Sequence, residues 1–164
     1  MTPACHVRHR YLDTPIGRLT LVADGDALIE IRLAPPRADD GPAHDGSDAI
    51  LDRAASELGE YLAGSRTSFD LPLSPRGTEF ERRVWGELAR IPFGRTVSYS
   101  DVAAAIGRPR AVRAVGAANG RNPLPIVVPC HRVIGKSGDP VGYAGGLAVK
   151  AWLLEHEGAA RSDG

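Results

Sequence analysis

The sequence predicts an α+β protein in which a small N-terminal β-sheet and helix domain precedes a mostly helical domain with a helix-turn-helix. Three observations predict it. Two β-rich runs flank a turn signal, Asp24-Gly25-Asp26, near the start of the chain. Apolar residues recur at helical spacing from Asp48 onward. Beyond residue 75, two capping-box patterns and a series of Gly and Pro breakers mark out short helices. The 164 residues, 43% hydrophobic and 24% charged, suffice for a real core and for one compact domain or two small ones. We divide the chain at 1–75 and 76–164.

In order, Arg18–Ala23 and Ala27–Leu33 form the strands of the first hairpin. The Pro/Asp/Gly-rich stretch from Pro35 to Ser47 is expected to be a loop. Ile50, Leu51, Ala54, Leu58, Tyr61 and Leu62 line one helix face, and Gly64 ends that helix. Phe69–Leu73 is a short extended piece. Thr78 and Glu81 form a capping box for a helix with Phe80, Val84 and Leu88 on one face, stopped by Pro92. Ser98 and Asp101 cap a second helix that runs to Ile106 and closes at Gly107. Pro109 is placed to open a third helix, Arg110 to Asn119. The last two helices, joined by a tight Gly-containing turn, make the helix-turn-helix pattern, which is also common among core helix pairs. The chain shows no internal repeat.

The zero net charge hides a division. Residues 1–75 carry 7 basic against 12 acidic side chains, and residues 76–150 carry 12 against 5. A basic segment on an acidic body is compatible with nucleic-acid binding, although charge alone fits a solvated surface equally well. No apolar run approaches the roughly 20 residues that cross a bilayer. The N-terminus lacks the basic start and apolar stretch of a secretory signal, so a cytoplasmic setting is expected. Two free thiols are then expected at Cys5 and Cys130. Cys5, near His6 and His9, reads as a loose terminal residue, because a structural zinc site wants four ligands.

The helix around Ala111, Ala114 and Gly116 is built from small residues with one long cation, Arg113. Small side chains allow close approach to a partner helix or to the wall of a groove. Arg113 argues against complete burial, since an unpaired buried guanidinium is costly. Ile126-Val127-Val128 looks like a buried extended segment that delivers Cys130-His131-Arg132, with Pro125 and Pro129 stiffening it. A free cysteine is only about 3% thiolate at pH 7, so a nucleophilic Cys130 needs a base. His131 is the adjacent candidate, and Glu155 or Glu157 of the C-terminal helix 146–157 is the carboxylate to orient it. Adjacent residues of an extended chain point to opposite sides, so contact between Cys130 and His131 needs a turn or a bridging water.

Pro129-Cys130-His131-Arg132-Val133-Ile134 closely resembles the active-site motif of the O6-alkylguanine-DNA alkyltransferases. The likeness extends in order and spacing over Thr14–Leu21, Thr78–Ser100, Arg113–Gly116, Asn122-Pro123 and Gly142–Gly158, which is most of the chain. It implies that Cys130 is the alkyl acceptor, His131 the base acting through a water, and Glu157 its orienting carboxylate. It implies that Asn122 bridges the recognition helix to the cysteine turn. Arg113 is then the finger filling the space left by a flipped nucleotide, and Tyr99 assists flipping and donates to N3 of the guanine. The small residues Ala111, Ala114 and Gly116 would face a minor groove. Tyr143 would cover the base pocket, the Val133 carbonyl would read the guanine amino group, and the Ala144 backbone amide would reach O6. Ala144 stands where some relatives have Ser, and the zinc site of some relatives is absent.

The implied activity is irreversible transfer of an alkyl group from O6 of guanine in duplex DNA to Cys130. The product is a thioether that nothing in the constellation would hydrolyse, so the protein is consumed, without cofactor or metal. The implied partner is double-stranded DNA containing O6-alkylguanine, with no membrane and no obligate protein partner; cooperative assembly of copies along DNA is left open. Two other readings remain at this point: a helix-turn-helix lesion sensor or regulator, and a thiol hydrolase using Cys130, His131 and Glu157.

Overall fold

The computed structural model describes residues 7–33, 43, 46–135 and 146–158. The chain divides into two compact units, Met1–Arg76 and Gly77–Gly164. In the first unit, β1 (Val7–Thr14), β2 (Gly17–Asp24) and β3 (Ala27–Arg32) form an antiparallel sheet in the order β1-β2-β3. Gly25, at φ 60, makes the tight turn between β2 and β3 that the Asp-Gly-Asp signal predicts. Leu19, Leu21 and Ala23 of β2 are fully buried, as are Leu51, Ala54 and Leu58 of α1 (Ala49–Leu62), which packs on the sheet.

One residue joins sheet to helix in this unit. Asp48 caps α1 by accepting from the Ile50 and Leu51 amides, and its carboxylate also takes Arg8 of β1 through Nε at 2.5 Å and Nη2 at 3.1 Å. That guanidinium, with the amide bonds, holds the Asp48 carboxyl down at about 2. The extended piece after α1 docks on β3, where the Leu28 amide donates to the Pro72 carbonyl and the Ser74 amide to the Leu28 carbonyl, each at 2.9 Å. Most of the loop expected over Pro35–Ser47, and Cys5, lie outside the described residues.

The second unit is helical. Thr78 and Glu81 close the expected capping box of α2 (Glu79–Leu88). β4 (Val97–Ser98) leads straight into α3 (Tyr99–Ala105), whose N-terminus is closed by the Ser98–Asp101 box. α4 (Val112–Gly120) starts two residues later than the sequence suggested. The physical reason is a turn in which the Ala111 amide donates to the Arg108 carbonyl; Pro109, with its fixed φ, sits inside that turn and not at the helix start. Trp85 of α2 is buried and donates its indole N–H to the Ala118 carbonyl at 2.8 Å, which ties α2 to α4. β5 (Val133–Ile134) pairs in parallel with β4, and α5 (Leu147–His156) completes the unit. Among the described residues, no helix is long and apolar enough to cross a membrane.

Candidate active site

The segment before Cys130 is buried, as expected, but it is not extended. The Val128 amide returns to the Leu124 carbonyl at 2.8 Å, and Ile126 takes a positive φ of 77°. A β-branched residue in that region is strained and must be held by its surroundings. Asn122 does the holding: its Nδ2 donates to the Val128 carbonyl at 2.8 Å and its Oδ1 accepts from the Leu124 amide at 2.9 Å. Two adjacent apolar residues cannot report such a turn, which depends on a polar side chain several positions away.

Cys130, His131 and Arg132 then form a single 3-10 turn, all three buried. The turn ends in β5, whose pairing with β4 sets Val133 opposite Val97 and Ile134 opposite Ser98. Tyr99 follows β4 directly, so this two-strand ladder brings the first residue of α3 to the cysteine turn. Gly116 of α4 faces the same tyrosine: a Cβ built there would lie 3.9 Å from Tyr99 Cδ1.

His131 Nε2 lies 2.8 Å from Glu157 Oε2, both groups being fully buried. Glu157 already accepts from Arg132, Nε to Oε1 at 2.9 Å and Nη2 to Oε2 at 2.8 Å. A carboxylate so engaged can only accept, which assigns the imidazole proton to Nε2. Nδ1 is buried and makes no hydrogen bond among the described residues. Burial pushes His131 below its ordinary value against the pull of Glu157, with Arg132 and Lys150 adding to the depression. The ring is therefore neutral, with a lone pair on Nδ1. Of the two candidate carboxylates, Glu157 is in the site and Glu155 is exposed.

Burial pushes the Cys130 thiol up to about 11, offset in part by the Asn122 side chain and by Lys150. Tyr99 is raised by burial and then by Cys130. The resting site thus holds a protonated thiol and, at the next residue of the same turn, a neutral imidazole. No direct hydrogen bond joins Cys130 to His131, consistent with the need for a turn or bridging water.

The other expected residues fall as follows. Arg113 and Ala114 are exposed on α4, Ala111 is half-buried at its start, and Val133 is buried in β5. Tyr143 and Ala144 lie outside the described residues. Three residues in the site were not singled out from sequence. Arg132 grips Glu157; Asn119 donates through Nδ2 to the Cys130 carbonyl at 3.4 Å; Lys150, fully buried, donates to the Val133 carbonyl at 2.7 Å. For Lys150 a signal existed, because it shares a helix face with Leu153 and Glu157 at i, i+3 and i+7.

Two family models match this chain: the ribonuclease-like domain of 6-O-methylguanine DNA methyltransferase over residues 7–75, and its DNA binding domain over residues 79–159. A methylated-DNA–protein-cysteine methyltransferase of Mycobacterium tuberculosis is 46% identical over 152 residues, 92% of each chain. The constitutive protein of that name from Bacillus subtilis is 45% identical, over 88% of this chain and 92% of its own. Among solved structures, Mycobacterium tuberculosis OGT in complex with DNA superposes with a TM-score of 0.85 at 46% identity, covering 96% of this chain and 97% of that one. The Mycobacterium tuberculosis O6-methylguanine methyltransferase gives 0.80 at 43%, covering 95% and 94%.

Proposed function

The chain belongs to the 6-O-methylguanine DNA methyltransferase family, and from that premise we propose that it repairs DNA directly, moving an alkyl group from O6 of guanine in duplex DNA onto Cys130. The observation that carries the assignment is the buried Cys130 at the head of a turn whose next residue, His131, is locked to Glu157 at 2.8 Å.

The steps follow from the residues. The alkyl carbon lies within the base stack, so the nucleotide must be turned out into the site, at a cost of a few kcal/mol. Exposed Arg113 on α4 fills the gap it leaves, with the small residues of α4 lying along the minor groove. As Cys130 Sγ attacks in line, the sulfur–carbon bond forms and the carbon–O6 bond breaks. The thiol proton passes through a bridging water to Nδ1 of His131, and Glu157 stabilises the imidazolium. The electron pair from the broken bond stays on guanine, where the Tyr99 hydroxyl at N3 meets the developing charge. The Val133 carbonyl accepts from the guanine amino group. A thioether on Cys130 is stable to water and to a neutral imidazole, so each molecule acts once. Its partner is double-stranded DNA carrying O6-alkylguanine, and the reaction calls for no protein partner.

Duplex DNA with radiolabelled O6-methylguanine tests the assignment. Label should move to protein, reaching one equivalent at most, and Cys130→Ala should take none. Tight binding without transfer would make the chain a lesion sensor, and repeated turnover of a small ester would make it a thiol hydrolase.

A further inference from the structure

Arg132 stands in the cysteine motif, yet it has no part in the transfer just described. It is buried, and each of its guanidinium nitrogens is engaged: Nε and Nη2 clasp the two oxygens of Glu157, and Nη1 donates to the Ile91 carbonyl at 2.6 Å. The guanidinium carbon also sits 5.8 Å from the centre of the Phe93 ring. A two-point guanidinium–carboxylate clasp fixes the plane of the carboxylate as well as its place. Of the two clasped oxygens, Oε2 is the one that meets His131 Nε2 at 2.8 Å.

We propose that Arg132 is a positioning residue: it supplies the counter-charge that lets Glu157 remain ionised beside a neutral His131, so that Nδ1 keeps the lone pair needed to receive the Cys130 proton. The inference rests on the reading of Cys130 as the alkyl acceptor.

Charge counting carries the argument. A cationic Arg132, an anionic Glu157 and a neutral His131, all buried, sum to zero. Without Arg132, the buried pair would carry one uncompensated negative charge, which is costly. The pair would relieve it by binding a proton, and the open position for that proton is Nδ1. The base would then be blocked at neutral pH. Among the described residues, the charged groups that act on His131 are Arg132 from its own turn, and Lys150 and Glu157 from α5 and its C-terminal end. The loop after α2 adds the Gly94 amide, which donates to Glu157 Oε1 at 3.4 Å. Lys150 is a second cation but is directed at the Val133 carbonyl and does not touch Glu157 in the way Arg132 does.

The test is single-turnover transfer from a methylated duplex between about pH 5 and about pH 9 for the wild type, Arg132→Met and Arg132→Lys. Arg132→Met should move the acidic limb of the rate profile up by about one pH unit or more, with the rate recovering on the alkaline side. Arg132→Lys keeps the charge but not the clasp, so it should lose rate while leaving the limb in place. Equal loss by Arg132→Met at every pH would overturn the proposal. A variant that fails to fold does not end the test, because the ring nitrogens of His131 in the wild type can be read by 15N NMR. At neutral pH one should appear protonated and the other bare; two protonated nitrogens would overturn the proposal. Absence of transfer by the wild type would instead strike at the Cys130 assignment, and the nitrogen spectrum would stand apart from it.

Discussion

Lys150 donates from Nζ to the carbonyl of Val133 at 2.7 Å, with no part of the lysine exposed. A carbonyl has two lone pairs, so this contact orients the oxygen and leaves it able to accept a second donor. Burial pushes Lys150 down to about 8, and the neighbouring Cys130 pulls it partly back.

Lys150 is accordingly a cation held near the reacting sulfur. Lys150→Met should make Cys130 harder to ionise and slow transfer at pH 7 about tenfold or more, the consequence of about one pKa unit on the thiol. Single-turnover rates check it, and an unchanged rate would remove Lys150 from the site.

Cys130 should leave its mark on stability at high pH. Its thiol is raised from about 9 to about 11 in the folded chain. Between those values the unfolded state has lost the proton and the folded state has kept it, so stability falls as pH rises. The loss approaches about 3 kcal/mol across that window. Lys150 works in the opposite sense between about 8 and about 10.5, because its value is lowered on folding. The comparison is therefore made as a difference. Denaturant unfolding of the wild type and Cys130→Ala should show the wild type losing ground steadily above pH 9, with the Lys150 contribution cancelling in part, since Cys130 itself acts on Lys150. Parallel pH curves would show that the folded thiol is not raised.

Gly116 and Tyr99 give a size test. The predicted Cβ contact at 3.9 Å is an ordinary one, so alanine fits. Replacing a mid-helix glycine by alanine gains roughly 0.5–1 kcal/mol. Gly116→Ala should raise thermal stability and preserve transfer, whereas Gly116→Leu should displace the tyrosine ring and depress transfer. Weaker DNA binding by the alanine variant, with stability raised, would indicate that Gly116 faces DNA as well as Tyr99.

Arg113 is exposed and distant in sequence from the cysteine turn. In the flipping role proposed for it, Arg113 acts on the duplex and not on the chemistry. Arg113→Ala should slow repair in duplex DNA by about 10-fold or more, corresponding to a share of the few kcal/mol of base extrusion. Reaction with the free base O6-methylguanine should change little. Equal losses on both substrates would refute the role.

Much of this protein was legible in its sequence because the signals are local. Thr78 and Ser98 announce helix starts through side chains that reach only a few residues along the chain, and the structure uses both as caps. The two β-runs around Gly25 pair as expected for the same reason. The cysteine motif and the order of its companions likewise pointed to Cys130, His131 and Glu157. The exceptions are equally informative. The start of α4 moved because a turn through Pro109 competed with the helix, and the run before Cys130 bent because Asn122 satisfied its backbone. What only the tertiary structure decided was the charge state of the site: that Arg132 shares Glu157 with His131, that Lys150 is buried against Val133, and that Cys130 rests protonated. Those properties depend on burial and on partners brought together from different elements, and linear spacing does not encode the dielectric in which two charges meet.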